Sequence, residues 1–468
     1  MTGRLIVVSN RVNPPSGNGE ESVGGLAMAL AAALKEYSGI WFGWSGKTTE
    51  TFTGDLNVEE VGGVTAATVD LEEIDLDEYY NGYANKTLWP LFHYRNDLAA
   101  FDRAFDKGYM RVNRRFAETL APLIQPDDIV WVHDYHLIPL AKELRGLGVR
   151  NRIGFFLHIP WPAHQVMVNL PRHKQLVESM FDYDLVGFQT AEYQQAFEEY
   201  VLNEAEGVQV RPGCVRGFGR TLEVGAFPIG IDAADFARMK TSGRARRMRD
   251  LMTACTVFRH LIVGVDRLDY SKGLEERFLG FEAFLQRNPD MRREVLMLQI
   301  APVSREAVEA YQEIRGRLDA LSGRINGEFA DVDWAPFRWV NRNYRRDELT
   351  GIYGAARVGL VTPLRDGMNL VAKEYVAAQD PEDPGVLILS RFAGAARQME
   401  DALLVNPNSP EEIADALKRA LLMEKPERVR RWRALFETVE REDVTAWRDA
   451  FVTALQGNAA SRRPALVV

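Results

Sequence analysis

The feature that most constrains the fold is the alternation of short, continuous apolar runs with longer helical stretches along the chain. Continuous apolar runs are typical of strands in a parallel sheet that is covered on both faces. Helical stretches between them predict repeated β-α-β units, and therefore an α/β fold with doubly wound parallel sheets. The predicted strands are Leu5–Ser9, Ile129–His133, Ile153–Ile159, Leu185–Gln189, Leu261–Val265, Val295–Ile300, Val358–Thr362, Val386–Ser390 and Leu403–Val405. The predicted helices include Gly25–Tyr37, Glu275–Arg287 and Ser304–Leu321.

The length of 468 residues exceeds what one ordinary core organises, so we predict two domains. The polar, basic stretch KTSGRARRMRD lies within Asp232–Val257, between the two β-α series. We predict one domain over residues 1–238 and a second over 239–439, with a helix near 440–456 packing back on the first. Ligands of such sheets bind at the carboxyl ends of the strands, so we expect a site in a cleft between the domains. The loop Pro14–Ser22 and the tail from residue 457 to 468 are expected to be mobile.

The charge balance argues against nucleic acid and anionic membranes as partners. Lys and Arg number 57 against 66 Asp and Glu, a net charge of -9, and such a surface repels polyanions. The only cysteines are Cys214 and Cys255, which predicts no disulfide framework. Neither a signal peptide nor an apolar run of about 20 residues is expected from the sequence, so we predict a cytoplasmic protein.

The segment LRDGMNLVAKEY, Leu364–Tyr375, directly follows a predicted strand and begins a predicted helix near Asn369. A helix N-terminus presents free backbone N–H groups and a positive dipole end, which favour a diphosphate. Glu374, about one turn into the helix, can accept hydrogen bonds from ribose hydroxyls, and Asp366 can hold sugar hydroxyls. The alternative is an ordinary strand–turn–helix with an acidic turn.

A second segment, VDRLDYSKG, follows another predicted strand and carries Arg267 and Lys272. Two cations at a strand end can neutralise the charge on a departing nucleoside diphosphate. The alternative is a solvated turn in which Arg267 pairs with Asp266 or Asp269.

Four polar residues lie at or near the ends of predicted strands of the first half, in WVHDYH and FFLHIP: His133, Asp134, His136 and His158. They suggest a metal site, but neither a cysteine nor a His-x-x-x-His helix supports one. We therefore interpret Asp134 and His158 as sugar contacts and predict no metal.

Other residues of the chain suit a sugar phosphate. Arg11 and Arg305 are isolated cations beside apolar strands, and each can form a charge-assisted pair with a phosphate. Tyr80 and Trp89 lie in an aromatic segment, YYNGYANKTLWPLFHYR, whose other rings we assign to the core.

An ordered set of segments runs through the chain: VSNR, VGGL, WFGWSG, DEYYNGYAN, LWPLFHYR, WVHDYHL, NRIGFFLHIP, FPIGID, VDRLDYSKG, QIAPVSR and TPLRDGMNLVAKEY. With these segments the chain resembles the trehalose-6-phosphate synthase family of the bacterial, synthase-only type. The resemblance covers about residues 4–455 and implies a GT-B fold. It also implies transfer of glucose from a nucleotide sugar, by default UDP-glucose, to glucose 6-phosphate with retention. No cofactor is implied, and a homodimer or homotetramer is expected.

The resemblance also implies a role for each matching residue. The acceptor set is Arg11, Tyr80, Trp89, Asp134 and Arg305, and the donor-glucose set is Gly24, Gly25, His158, Asp366, Gly367, Met368 and Asn369. The diphosphate and ribose set is Arg267, Lys272, Leu370, Val371 and Glu374, with Tyr344 near the nucleobase. The groups expected to act in catalysis are Asp134, His158, Arg267, Lys272 and Asp366. The loop Pro14–Ser22 and Trp161 depart from the family pattern.

The sequence alone leaves other functions open. On the same scaffold, an enzyme can join cyclitols or use glycerol 3-phosphate as acceptor, and a catalytically silent sensor can bind sugar phosphates. The acceptor residues favour glucose 6-phosphate, whereas the preferred nucleotide, UDP, GDP or ADP, stays open.

Overall fold

The computed structural model describes residues 3–12, 34, 39–61, 63–256, 259–303 and 308–457. The chain forms two compact units. Unit 1 comprises Met1–Ile229 with Val444–Val468, and unit 2 comprises Gly230–Asp443. Among the described residues, none of the helices combines the length and the apolarity needed to cross a bilayer.

Unit 1 is built on a sheet of ten strands in the order β3-β4-β2-β1-β5-β6-β7-β10-β9-β8. The strands are β1 (Leu5–Arg11), β2 (Ile40–Thr49), β3 (Asn57–Val61), β4 (Val64–Glu72), β5 (Ile129–His133), β6 (Ile153–Phe156), β7 (Leu185–Phe188), β8 (Val208–Arg211), β9 (Cys214–Gly217) and β10 (Arg220–Ala226). The central pairs from β4 to β10 are parallel, and β3, β8 and β9 add antiparallel hairpins at the two edges. The carboxyl ends of the central strands therefore meet at one edge.

Helices cover this sheet because its central strands are buried along both faces. The α-helices of unit 1 whose full extent the structure describes are Glu73–Asp75, Trp89–Phe92, Arg103–Leu120, Leu140–Gly146, His164–Met167, His173–Met180, Ala191–Glu204 and Val444–Leu455. A π-helix spans Leu76–Leu88, and short 3₁₀ helices span Asn96–Leu98, Ala121–Leu123 and Tyr135–Leu137.

The last helix, Val444–Leu455, packs on the sheet of unit 1 through aromatic side chains. The ring of Phe451 stacks on Trp131 with centroids 4.7 Å apart. It fits because two strand residues are glycines: a Cβ at Gly154 would lie 2.8 Å from the Phe451 ring, and one at Gly187 would lie 2.7 Å from it. The preceding helix, Lys425–Arg441, belongs to unit 2.

Unit 2 is built on a wholly parallel sheet of six strands in the order β13-β12-β11-β14-β15-β16. The strands are β11 (His260–Val265), β12 (Val295–Ile300), β13 (Phe337–Val340), β14 (Val358–Val361), β15 (Val386–Ser390) and β16 (Leu403–Val405). The α-helices are Ala233–Lys240, Gly243–Thr256, Leu274–Arg287, Glu309–Phe329, Arg346–Ala355, Leu370–Ala378, Pro410–Leu422 and Lys425–Arg441, with 3₁₀ helices Tyr270–Lys272, Pro289–Glu294 and Gly394–Arg397.

The division between the units differs from the predicted boundary. A break after residue 238 would cut the helix Ala233–Lys240, which packs on Arg346–Ala355 and Leu370–Ala378 of unit 2. The segment Asp232–Val257, which was expected to separate the domains, contains this helix and Gly243–Thr256, and both belong to unit 2. The change of unit falls earlier, after Ile229.

Several element boundaries also differ. The predicted strands Ile153–Ile159 and Leu185–Gln189 end earlier, at Phe156 and Phe188. The predicted helix Ser304–Leu321 begins at Glu309 and continues to Phe329, and residues 304–307 lie outside the described part. Of Gly25–Tyr37, the structure describes only Leu34.

Candidate active site

In unit 1, the carboxyl end of β1 places Arg11 beside an aromatic cluster. The guanidinium carbon of Arg11 lies 5.9 Å from the centroid of the Trp44 ring, and this ring lies 5.8 Å from the ring of Tyr80. Tyr80 also stacks on His136, with centroids 5.9 Å apart and planes 12° from parallel. Two predicted acceptor residues, Arg11 and Tyr80, are thus joined through Trp44, to which the sequence analysis assigned no role.

A glycine makes room for the arginine of this cluster. Gly46 has a φ of +90°, and a Cβ there would lie 2.6–2.8 Å from the guanidinium atoms of Arg11. A side chain at this position would therefore displace the guanidinium as well as strain the backbone. The resemblance motif WFGWSG contains both Trp44 and Gly46, and this motif was the only signal that pointed to them.

Tyr80 stands on the π-helix Leu76–Leu88, and Trp89 follows directly at its end. A π-helix of this length is rare, and π-bulges in proteins cluster at functional sites. Tyr79 anchors the helix to the end of β1, since its hydroxyl donates to Oδ1 of Asn10 at 2.7 Å. At the base, the buried carboxylate of Asp75 accepts from Arg111 at 2.7 Å and pairs with Arg115.

Trp89 is more deeply buried than an aromatic ring that stacks on a bound sugar usually is. Its side chain is only 4% exposed, and its ring lies against His93 and Tyr135 with centroid distances of 4.2 and 5.6 Å. Most of its area therefore packs the unit 1 core.

Asp134 and His158 follow β5 and β6, which are neighbours in the sheet, and they meet at the carboxyl edge. Asp134 has a φ of +75°, an unusual backbone conformation for a residue with a side chain. Its N–H donates to the carbonyl of Phe156 at 2.8 Å, and its Oδ1 accepts from the N–H of His158 at 3.3 Å. The strained turn is therefore fixed by the adjacent strand.

His158 also contacts two buried residues. Its Nε2 lies 3.0 Å from Nδ1 of His133, and its Nδ1 lies 3.4 Å from Nε2 of Gln189. Burial lowers the pKa of His158 to about 3 and also lowers that of His133, where the neighbouring His158 adds to the effect. Both imidazoles are therefore neutral near pH 7 and act as hydrogen-bonding groups rather than as proton donors to a leaving group.

The described residues contain no group of three or more His, Cys, Asp or Glu side chains arranged to hold a metal ion. The histidines that suggested a metal site instead make ring and hydrogen-bond contacts with each other and with neighbouring aromatic residues.

In unit 2, the loop after β14 is held rigidly in front of the helix Leu370–Ala378. Asn369 caps this helix in a left-handed conformation, with φ +76°. The N–H of Ala395 donates to the carbonyl of Met368 at 2.8 Å, and that of Gly394 donates to the carbonyl of Asp366 at 3.1 Å. Only glycine fits at residue 394, because a Cβ would lie 1.9 Å from the carbonyl oxygen of Gly367.

The first N–H groups of this helix lack intrahelical partners and belong to the half-buried residues Leu370 and Val371. They follow the loop residues Gly367 and Met368, and they are the donors that the sequence analysis predicts for a diphosphate.

The second segment, Val265–Gly273, is docked on the same loop. Gly273 has a φ of +62°, and a Cβ there would lie 2.1 Å from the carbonyl oxygen of Thr362. The N–H of Leu364 donates to the carbonyl of Ser271 at 2.9 Å. As a result, Nζ of Lys272 lies 2.5 Å from Oδ2 of Asp366, which also accepts from Nδ2 of Asn369 at 3.1 Å.

Arg267 is exposed on this segment, whereas the adjacent Asp266 is buried. The carboxylate of Asp266 pairs with Arg277 at 2.7 Å. That of Asp269 accepts from the N–H of Ser271 at 2.9 Å and from the hydroxyl of Tyr311 at 3.1 Å. Both carboxylates therefore stabilise the turn from which Arg267 projects.

Arg277 is a residue that the sequence analysis missed. It is fully buried beneath the two segments, and its guanidinium donates to Thr362 and Gln299, each at 2.9 Å, and to the carbonyl of Lys272 at 3.3 Å. One buried cation thus fixes the ends of β11, β12 and β14 together. Its sequence signal was an arginine among the mostly apolar buried residues of the helix Leu274–Arg287.

Glu374 lies on the first turns of Leu370–Ala378 and is half-buried. Burial raises the pKa of its carboxyl, and the charge of Arg346 opposes this shift. Tyr344, at the end of the segment that follows β13, lies beneath the guanidinium of Arg342, 4.6 Å from the ring centroid. Gly24, Gly25, Arg305 and the loop Pro14–Ser22 lie outside the described residues.

The chain has two doubly wound α/β units. One carries a cation beside an aromatic cluster, and the other carries, beside Lys272, a helix N-terminus of the kind that binds diphosphates. Together these features define a glycosyltransferase that uses a sugar nucleotide. The model of glycosyltransferase family 20 matches residues 4–457, and the chain belongs to this family.

Individual relatives agree with this assignment. A trehalose-6-phosphate synthase of Sinorhizobium fredii is 48% identical over 450 residues, covering 95% of this chain and 96% of the relative. That of Escherichia coli K12 is 46% identical over 455 residues, covering 97% and 95%.

The solved structures that resemble the chain confirm the predicted GT-B fold. A UDP-forming α,α-trehalose-phosphate synthase of Burkholderia xenovorans, solved in complex with glucose 6-phosphate, has a TM-score of 0.93 at 50% identity and covers 97% of this chain and 100% of its own. An E. coli protein bound with UDP-2-fluoro glucose has a TM-score of 0.93 at 45% identity, covering 97% and 99%.

Proposed function

We propose that this protein is an α,α-trehalose-6-phosphate synthase, which transfers glucose from UDP-glucose to glucose 6-phosphate with retention and releases UDP. The observation that carries the proposal is the cluster of Lys272, Asp366 and Asn369, where a cation, a sugar-binding carboxylate and a helix N-terminus meet. The relatives named above support the choice of substrates, and Arg11 with Tyr80 supplies a phosphate-binding group on unit 1.

In this reaction, the bond between the donor anomeric carbon and the diphosphate oxygen breaks while the acceptor hydroxyl oxygen bonds to the same face of that carbon. A diphosphate oxygen takes the hydroxyl proton, so no protein nucleophile is required. Arg267, Lys272 and the helix N-terminus stabilise the negative charge that grows on the leaving group. Asp134 and the neutral His158 position sugar hydroxyls.

Three further points belong to this proposal. The reaction requires no metal ion or organic cofactor, because side chains and a helix dipole meet the charge of the diphosphate. The enzyme works in the cytoplasm, as the two free cysteines, Cys214 and Cys255, suggest. It assembles as a homodimer or homotetramer, which sedimentation analysis tests.

The experiment is a panel of UDP-, GDP- and ADP-glucose against glucose 6-phosphate, with the product identified by NMR. We expect α,α-trehalose 6-phosphate, with UDP-glucose the best donor. Glucose as acceptor should lose at least about 10²-fold in kcat/KM, because each hydrogen bond to the charged phosphate contributes about 1.5–3 kcal/mol. Transfer only to a cyclitol or to glycerol 3-phosphate, or none at all, would overturn the proposal.

A further inference from the structure

Unit 2 contains a cavity of about 610 Å³. It lies at the edge of the sheet opposite the loop that follows β14 and carries Asp366. Its walls include His260, Arg357 and Gly385, each of which immediately precedes or begins β11, β14 or β15. Because these strands are parallel, their amino ends lie at the other edge from the loop that carries Asp366. The cavity is therefore separate from the candidate active site.

Cationic side chains dominate this cavity. Arg249, Arg259 and Arg357 line it, each only partly exposed, and the imidazole of His260 lies beside them. The one carboxylate among the described lining residues is that of Asp383. Such a concentration of desolvated positive charge is costly unless an anion compensates it. The net charge of the whole chain, -9, makes the local excess more pronounced.

The nearby acceptors are already engaged by other cations. Asp383 lies 2.7 Å from the buried Arg428 but 3.7 Å from Arg357. The carbonyl of Pro384 also accepts from Arg428, and the carbonyl of Gln379 accepts from Lys240. Within the described part of the chain, Arg249 has no carboxylate at ion-pair distance, and Arg357 has only its long contact to Asp383.

The electrostatics of the lining agree with this picture. Burial lowers the pKa of Arg357, and the neighbouring Arg428 lowers it further. Burial also lowers the pKa of His260, with a contribution from Arg357. An added negative charge in the cavity would relieve this repulsion.

We propose that this cavity is a binding site for a phosphorylated small molecule, whose phosphate is held by Arg249 and Arg357. Arginine forks suit phosphate oxygens, and the volume accommodates a sugar phosphate or a nucleotide-sized group. Hydroxyls of the ligand can meet Thr253 on the wall, beside Arg249 on the helix Gly243–Thr256.

The test is calorimetric titration of the full-length protein with inorganic phosphate at constant ionic strength, in a background that carries Arg11→Gln and Arg267→Gln so that the proposed active site no longer competes for phosphate. The variants are Arg249→Gln, Arg357→Gln and, as a control, Arg246→Gln, an exposed residue of the same helix outside the cavity. We expect saturable binding that weakens about tenfold or more in the first two variants and stays unchanged in the third.

Turnover of UDP-glucose and glucose 6-phosphate should be unaffected by Arg249→Gln, which separates this site from the proposed catalytic function. Circular dichroism of each variant checks its fold, and Arg249→Gln alone decides the outcome if Arg357→Gln unfolds. Absence of saturable phosphate binding, or binding that survives both substitutions, would overturn the proposal.

Discussion

The ammonium of Lys272 lies 2.5 Å from a carboxylate oxygen of Asp366, and the two side chains are only 12% and 14% exposed. The pair connects two segments that are far apart in the chain but adjacent at the carboxyl edge of the unit 2 sheet. It holds the ammonium beside the helix N-terminus, where a diphosphate is expected to bind. It also fixes the carboxylate that we assign to the donor sugar.

Substitutions of Lys272 and Asp366 should therefore be coupled. Lys272→Met leaves the partly buried carboxylate without this ammonium, Asp366→Asn leaves the ammonium without this carboxylate, and the double variant leaves neither charge. Urea unfolding of the four proteins should give a coupling free energy of about 0.5–3 kcal/mol. Strict additivity of the two single changes would show that the pair contributes nothing to the loop.

Glu374→Gln should raise the KM for UDP-glucose and stabilise the protein near neutral pH. Burial raises the pKa of the folded carboxyl above its unfolded value, so the folded protein binds this proton more tightly. Wild type therefore loses stability as the pH rises through the interval between these two pKa values, and the amide does not.

Thermal unfolding of wild type and Glu374→Gln from pH 5 to 8 tests this prediction. The melting temperature of the variant minus that of wild type should become more positive with pH. A difference that is flat, or that falls with pH, would mean that the Glu374 carboxylate is not penalised by burial.

Arg267→Ala should lower kcat about 10²–10³-fold, the range seen when one donor to a developing negative charge is removed. Arg267→Lys should recover little, because an ammonium does not reproduce the planar fork. Steady-state kinetics at saturating donor measures the effect. A change confined to KM would assign Arg267 to ground-state binding instead.

Gly46→Ala should selectively weaken acceptor binding. The new methyl group would occupy the space of the Arg11 guanidinium, which can move aside. We expect the KM for glucose 6-phosphate to rise about tenfold or more, the loss of roughly one charged hydrogen bond, with the KM for UDP-glucose unchanged.

The matched control is Gly54→Ala, because Gly54 also has a positive φ, +75°, but a Cβ there meets its nearest atoms only at 3.7 Å. Both variants should lose about 1–2 kcal/mol of stability from backbone strain. Equal effects of the two on acceptor KM would show that Arg11 is not held at the acceptor phosphate.

Chelators should leave the activity nearly intact, because side chains and a helix dipole supply the positive charge at the diphosphate. Assays in EDTA, with and without added Mg²⁺, Mn²⁺ or Zn²⁺, check this expectation. Complete loss that one divalent ion restores would bring the histidines near Asp134 back as ligands.

Much of the architecture could be predicted from the sequence because the relevant signals are local. Continuous apolar runs such as Val295–Leu298 fit only buried strands, and the helices between them follow from connection rules. Strands with mixed patterns were missed: β2 ends in polar residues, and β3 is exposed along most of its length. Their place in the sheet depends on pairing with neighbours, which periodicity does not report.

The sequence by itself determined most of the central parallel strands and the positions of Arg267, Lys272 and Asp366 after strand ends. Both follow from apolar runs and from the polar residues that terminate them. Only the tertiary structure decided that Lys272 pairs with Asp366, that Trp44 links Arg11 to Tyr80, and that Arg277 lies beneath three strand ends. These contacts join residues distant in sequence, and their geometry depends on sheet order and close glycine contacts, which exist only once the chain has packed.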